Sequence, residues 1–200
     1  MLKSLSLTIS VICCWAVVAF GQATDTPFQV HDATNLNLGD ARITITNSGA
    51  FSTVAFPNQN GQLCANVYGF SGATGLLTSC CSCLIAPNAL ASLSVWRDVL
   101  TDSPPVSPTP TALTVKLIAS APTGNPLTCN AATVGTGPNV LVPGPLAWMT
   151  EPEPSGFFNS PPEVVKTQFA PATLSAAELF GTTAQCAILH PGPHACPSCP

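Results

Sequence analysis

The chain has 200 residues, of which 46% are hydrophobic and only 7% charged, with 21 prolines, 14 glycines, 10 cysteines and a formal net charge of −4. Soluble domains usually carry about 25% charged residues, and five Lys and Arg are too few to neutralise a run of phosphates or to dock on anionic lipid, so neither nucleic acid nor a charged membrane surface is an expected partner. The hydrophobic share excludes wholesale disorder, and the length fits one compact domain with extensions.

Residues 1–23 read as a secretory signal. Lys3 gives a minimal positive start, an apolar stretch runs over 5–20, and the small-x-small sites Ala19-Phe20-Gly21 and Gly21-Gln22-Ala23 follow. The apolar run is shorter than the roughly 20 residues that span a bilayer, so cleavage after Ala23 is expected, taking Cys13 and Cys14 away. The carboxyl end carries no hydrophobic tail or retention tetrapeptide, so the expected product is secreted, with attachment at a bacterial cell surface as one destination and no membrane contact after cleavage.

Residues 24–40 show no sustained periodicity and read as a flexible N-terminal arm that includes His31. A domain is expected over 41–150. Ile43 and Ile45 alternate with Arg42, Thr44 and Thr46 as in a half-buried strand, closed by the turn Asn47-Ser48-Gly49. A second strand covers 63–70, with Cys64, Asn66, Tyr68 and Phe70 on one face and Ala65, Val67 and Gly69 on the other. The turn Ser71-Gly72-Ala73-Thr74-Gly75 follows. Residues 76–85 read as a strand interrupted or ended by Cys80-Cys81-Ser82-Cys83, and Pro87-Asn88 turns into a strand over 90–96.

Pro104, Pro105, Pro108 and Pro110 lack the amide a ladder needs, so 101–110 is a stiff connection, with Ser and Thr that fit O-modification. Leu113, Val115 and Leu117 then give the clearest alternation, and a short strand is expected at 146–150. Short strands at roughly 8–12-residue spacing predict a mainly β fold, a disulfide-stabilised antiparallel β-sandwich. Residues 151–172 read as a Pro-rich acidic linker in which Glu151 and Glu153 are solvated. In the last segment, 173–200, Ser175-Ala176-Ala177-Glu178 is a capping box opening one C-terminal helix over 176–189, stopped by Pro191 and Pro193 before a Cys-rich tail.

Eight cysteines remain after the leader: Cys64, Cys80, Cys81, Cys83, Cys129, Cys186, Cys196 and Cys199. In an exported chain this even number reads as a disulfide framework whose pairing the sequence leaves open. On an extended strand Cys80 and Cys81 point to opposite faces and Cys81 and Cys83 to one, so the cluster is expected to bridge to separate distant partners. Metal binding is the alternative, through the knuckles Cys80-x-x-Cys83 and Cys196-x-x-Cys199 or through His190, His194, Cys196 and Cys199 of the tail. Cys196-Pro197-Ser198-Cys199 also has the form of a redox dithiol, but it follows a helix instead of opening one. No Gly-x-Ser-x-Gly, His-Glu-x-x-His or Gly-rich phosphate loop occurs, so no enzyme, catalytic residue or cofactor is expected. Trp96 and Trp148 near strand ends read as packing residues before ligand platforms.

At Leu63-Cys64-Ala65-Asn66-Val67-Tyr68, Ser79-Cys80-Cys81-Ser82-Cys83, residues 111–119, Leu174-Ser175-Ala176-Ala177-Glu178-Leu179 and Cys186…Cys196-x-x-Cys199, the chain resembles a group of secreted Cys-rich proteins of acidobacterial type, over about residues 40–199. The resemblance implies bacterial export and transfers no catalytic or binding residue. The expected function is a noncatalytic exported structural or surface protein that forms a homo-oligomer or polymer through strand edges or the N-terminal arm, since few charges guard those edges. Its rivals are a monomeric extracellular module binding carbohydrate or protein, and a metal or redox protein.

Overall fold

A computed structural model describes residues 26–51, 61–100, 110–156 and 161–200. The expected leader and most of the expected Pro-rich connection lie outside these residues. The chain is mainly β, with two antiparallel sheets and one C-terminal helix. The strands are β1 (Phe28–Ala33), β2 (Arg42–Asn47), β3 (Leu63–Ser71), β4 (Leu77–Ile85), β5 (Leu90–Ser94), β6 (Leu113–Ser120), β7 (Pro145–Glu153), β8 (Glu163–Gln168) and β9 (Ala170–Pro171), and the helix is α1 (Ala176–Leu189). One sheet has the order β4-β3-β6-β1-β9 and the other β5-β2-β7-β8.

The sheets bury a common core. Ile43, Ile45, Leu93, Ala147 and Met149 come from the four-stranded sheet, and Ala65, Val67, Cys81, Cys83, Val115 and Leu117 from the five-stranded one. A second cluster lies on the other face of the five-stranded sheet, where Phe28, Tyr68, Phe70, Cys80 and Ile118 pack against Cys186 of α1 and a 3-10 turn at Ala131–Thr133. The five-stranded sheet is therefore covered on both faces. This is why β3 is buried at every position except Ser71 while keeping its side-chain alternation.

Asn66 and Tyr68, polar side chains buried in this covered sheet, are both paired. Asn66 donates to Ile118 O and Ser120 Oγ, both at 2.9 Å, and accepts from Ser82 Oγ at 2.8 Å, tying β4, β3 and β6 together. The Tyr68 hydroxyl donates to Ala131 O at 2.7 Å, and burial raises its pKa far above the ordinary phenol range.

Four expectations need correction. Residues 24–40 are not wholly a flexible arm, because β1 lies inside the sheet between β6 and β9. Its inward positions are polar, which hides the alternation: Gln29 donates to Pro145 O at 2.6 Å and His31 meets Glu151 at 3.1 Å. Residues 151–172 are not simply a linker, since β7 continues to Glu153 and β8 and β9 follow. Pro152 is tolerated in β7 because pairing with β2 ends at Thr150, and there the strand is hydrogen-bonded only to β8. The expected strand over 90–96 stops at Ser94, where a π-helical turn, Val95–Val99, begins, and the cysteine cluster lies within β4 without interrupting it. The helix keeps the predicted bounds. Its Ser175 hydroxyl accepts from Glu178 N at 3.1 Å, while the Glu178 carboxylate accepts from Lys116 Nζ of β6 at 2.6 Å.

Candidate functional site

The densest chemistry lies at the β4 edge. The eight cysteines form four disulfides: Cys64–Cys129, Cys80–Cys186, Cys81–Cys196 and Cys83–Cys199. The pleat of β4 sets the directions in which the last three leave the strand. Cys80 points to the outer face and meets α1, while Cys81 and Cys83 point between the sheets and meet the tail. Cys64–Cys129 fastens β3 to the segment that leads into the 3-10 turn.

Backbone contacts also hold the tail along β4. Ala195 makes a parallel bridge with Ser82, in which Ser82 N donates to His194 O at 2.9 Å and Cys196 N to Ser82 O at 3.2 Å. Cys196-Pro197-Ser198-Cys199 is a tight turn closed by Cys199 N donating to Cys196 O at 3.0 Å. The buried Asp98 carboxylate holds that turn, accepting from Ser198 N at 2.7 Å and from Ser94 N at 2.6 Å. Arg97 adds a hydrogen bond to the Ser198 hydroxyl. A cleft of about 260 Å³ opens beside this clamp, lined by Leu84, Leu127, Ala195 and the cystine residues Cys129 and Cys199.

The geometry separates the metal alternatives. Cys80 and Cys83 lie on opposite faces of β4, so the knuckle Cys80-x-x-Cys83 cannot close on one ion. The sulfurs of Cys83, Cys196 and Cys199 do lie within 4.8 Å of one another, but each is committed to a disulfide. In the tail set, His190 and His194 stack with centroids 4.0 Å apart, next to a Cys196 and a Cys199 that are bridged to β4. Cysteine spacing alone does not say which of Cys80 and Cys81 shares a face with Cys83; the extended-strand assignment does, and it puts Cys81 and Cys83 together.

A second polar cluster joins the sheets. His31 Nε2 of β1 lies 3.1 Å from Glu151 Oε1 of β7, and the other carboxylate oxygen accepts from Thr34 N at 2.9 Å. Glu153 accepts from Asn35 at 3.1 Å. The expected solvation of Glu151 and Glu153 is corrected here, because Glu151 is 6% exposed and both carboxylates pin the β1–β2 connection. Both Glu151 oxygens are engaged and the His31 ring rests 5.1 Å from Phe169, an arrangement suited to a strut between sheets.

The remaining edge of interest is β8. It is exposed at every position, Val164 by 72% and Val165 by 38%. It borders β7 on one side, and among the described residues no strand lies on the other. Trp148 of β7 is half-buried beneath Lys166, whose ammonium lies 5.2 Å from the ring centroid, whereas Trp96 is 42% exposed in the π-helical turn. Among the described residues no helix is long and apolar enough to cross a membrane. Comparison with protein-family models, with curated proteins and with solved structures returns no match.

Proposed function

We propose that this chain is a noncatalytic exported structural or cell-surface protein whose copies associate edge to edge through β8. Export is supported by the apolar leader and by the four disulfides, which persist in oxidising compartments. The observation that carries assembly is the edge itself: six residues, Glu-Val-Val-Lys-Thr-Gln, exposed on both faces and bordered by no further described strand. A bare edge of this kind templates strand addition, and its one lysine is a thin defence. A two-fold axis normal to the sheet keeps each face on its own side, so a symmetric antiparallel pair sets one residue against itself. Centred on Val165, the pair joins two valines and keeps the two Lys166 side chains apart. The N-terminal arm is the weaker candidate for donation, because β1 is already an inner strand of its own sheet.

Sedimentation velocity on the oxidised mature chain over a concentration series tests the reading. Its weight-average mass is expected to rise with concentration, and a monomer throughout contradicts it. One observation favours the second reading, a monomeric binding module: Phe180 and Ile188, two turns apart on α1, are 74% and 82% exposed and form an apolar stripe suited to a protein partner. A persistent monomer that loses a bound partner when Phe180 and Ile188 become serine would favour that module.

A further inference from the structure

We propose that the paired bridges Cys81–Cys196 and Cys83–Cys199 form a thiol–disulfide exchange site that accepts electrons from a small dithiol and responds by releasing the C-terminal tail from β4. This goes beyond the structural reading above and does not depend on assembly through β8. Three observations carry it: the access to one sulfur, the crowding of three, and the turn that joins two.

Access comes first. Within the paired bridges, Cys81, Cys83 and Cys196 are at most 1% exposed, whereas Cys199 is half-buried and lines the 260 Å³ cleft, which it shares with Cys129 of the separate Cys64–Cys129 bridge. An incoming thiolate therefore reaches Cys199 Sγ, forms a mixed disulfide there and expels Cys83 as a thiolate. The second thiol of the reagent then attacks its own sulfur in that mixed disulfide, closing a cyclic disulfide and freeing the Cys199 thiolate.

Crowding directs the next step. Cys199 Sγ lies within 4.8 Å of Cys196 Sγ, which is still bonded to Cys81. Attack at Cys196 forms Cys196–Cys199 and expels the Cys81 thiolate. The residues are prepared for this bond by the turn between them, whose closing hydrogen bond is 3.0 Å long. Such turns hold the outer Cα atoms under about 7 Å, and a disulfide needs about 4.4–6.8 Å. Cys81 and Cys83 cannot take the same course. Two residues apart on one strand, their Cα atoms are about 6.7 Å apart and their Cβ atoms point the same way, leaving the Cβ atoms beyond the roughly 3.5–4.5 Å a bridge requires.

The exchange balances. Two protein disulfides and one dithiol become one protein disulfide, one cyclic reagent disulfide and two thiols, with the two protons and two electrons of the reagent ending on Cys81 and Cys83. Two electrons thus remove both covalent ties of the tail. What remains is the Ser82 backbone bridge, the Asp98 contact to Ser198 and the Arg97 contact to its hydroxyl, while Cys80–Cys186 still fastens α1.

The test treats the oxidised full chain with a limiting amount of dithiothreitol, quenches it in acid, alkylates free thiols and maps peptides by mass spectrometry. The earliest partly reduced species is expected to carry two alkyl groups on the peptide holding Cys81 and Cys83 and none on the tail peptide, which is lighter by two hydrogens. Alkylation of Cys83 and Cys199 with Cys81–Cys196 intact overturns the proposal, as does first opening of Cys64–Cys129. In the double variant Cys81→Ser with Cys196→Ser the same treatment must shift the label to Cys83 and Cys199. If that variant does not fold, the wild-type map alone decides.

Discussion

The β4 and β8 edges of the sandwich are opposites. β4 is buried at seven of its nine positions, holds three of the eight bridged cysteines and is bordered by a backbone bridge from the tail. β8 is exposed at all six positions, holds no cysteine and, among the described residues, is hydrogen-bonded to a strand on one side only. Both edges face the same hazard, an unpaired row of amides and carbonyls that recruits another strand. The chain closes β4 with its own C-terminal residues and locks them covalently, and among the described residues nothing comparable closes β8. With so few charges available, covalent closure replaces the electrostatic protection other edges use.

The comparison breaks most sharply if the clamp is removed. Replacing Cys81 and Cys196 together by serine is expected to lower stability by about 2–5 kcal/mol, as loss of a native bridge from a small exported domain commonly does. Denaturant unfolding measures it, and a midpoint unchanged from the wild type would mean that the tail is held without covalent help. Asp98→Ala comes next, because it leaves the amides of Ser94 and Ser198 without their acceptor. A buried unmade hydrogen bond costs about 1–3 kcal/mol. Early exposure of the tail to protease at native pH is the accompanying readout, and unchanged cleavage would argue against the Asp98 contact as a tail anchor.

Tyr68 probes the closed region by pH. It is the one tyrosine of the chain, and burial raises its folded-state pKa above the unfolded value of about 10. The folded state therefore keeps a proton that the unfolded state gives up. This contribution is complete below about pH 10 and lost as pH rises above it, at up to about 1.4 kcal/mol per pH unit. Tyrosinate absorbance is expected to appear only together with unfolding, and its appearance in a folded chain near the ordinary phenol value would show that the layer beneath α1 is open. The smallest effect belongs to the open edge. Val164→Lys is a surface change expected to alter monomer stability by less than about 0.5 kcal/mol, yet to abolish concentration-dependent association by placing a second lysine on the edge. Retained association in that variant would move the contact elsewhere.

The sequence made β2, β3, β6 and the helix legible because each repeats an apolar residue at the period of its own geometry, while β4 was legible only with a break expected at its cysteine cluster. Ile43 and Ile45, or Leu113, Val115 and Leu117, need no partner to be recognised. β1 was hidden because its inward positions, Gln29 and His31, are satisfied by Pro145 O and Glu151, contacts more than a hundred residues away. β8 was hidden for the converse reason. It buries neither face, so nothing in its composition records which side is in, and the prolines around it read as linker. The opposed directions of Cys80 and Cys81 followed from the pleat, but the choice of Cys186 for one and Cys196 for the other depends on where α1 and the tail come to rest. No local pattern carries that information.

The contrast between the two edges is tested most directly by hydrogen exchange on the oxidised chain, followed peptide by peptide at low and high protein concentration. Protection of β4 is expected to be high and independent of concentration, while β8 exchanges freely in dilute solution and gains protection as concentration rises. If β8 is as slow as β4 in dilute solution, or stays fast at every concentration, then it is not the edge through which copies of this chain meet.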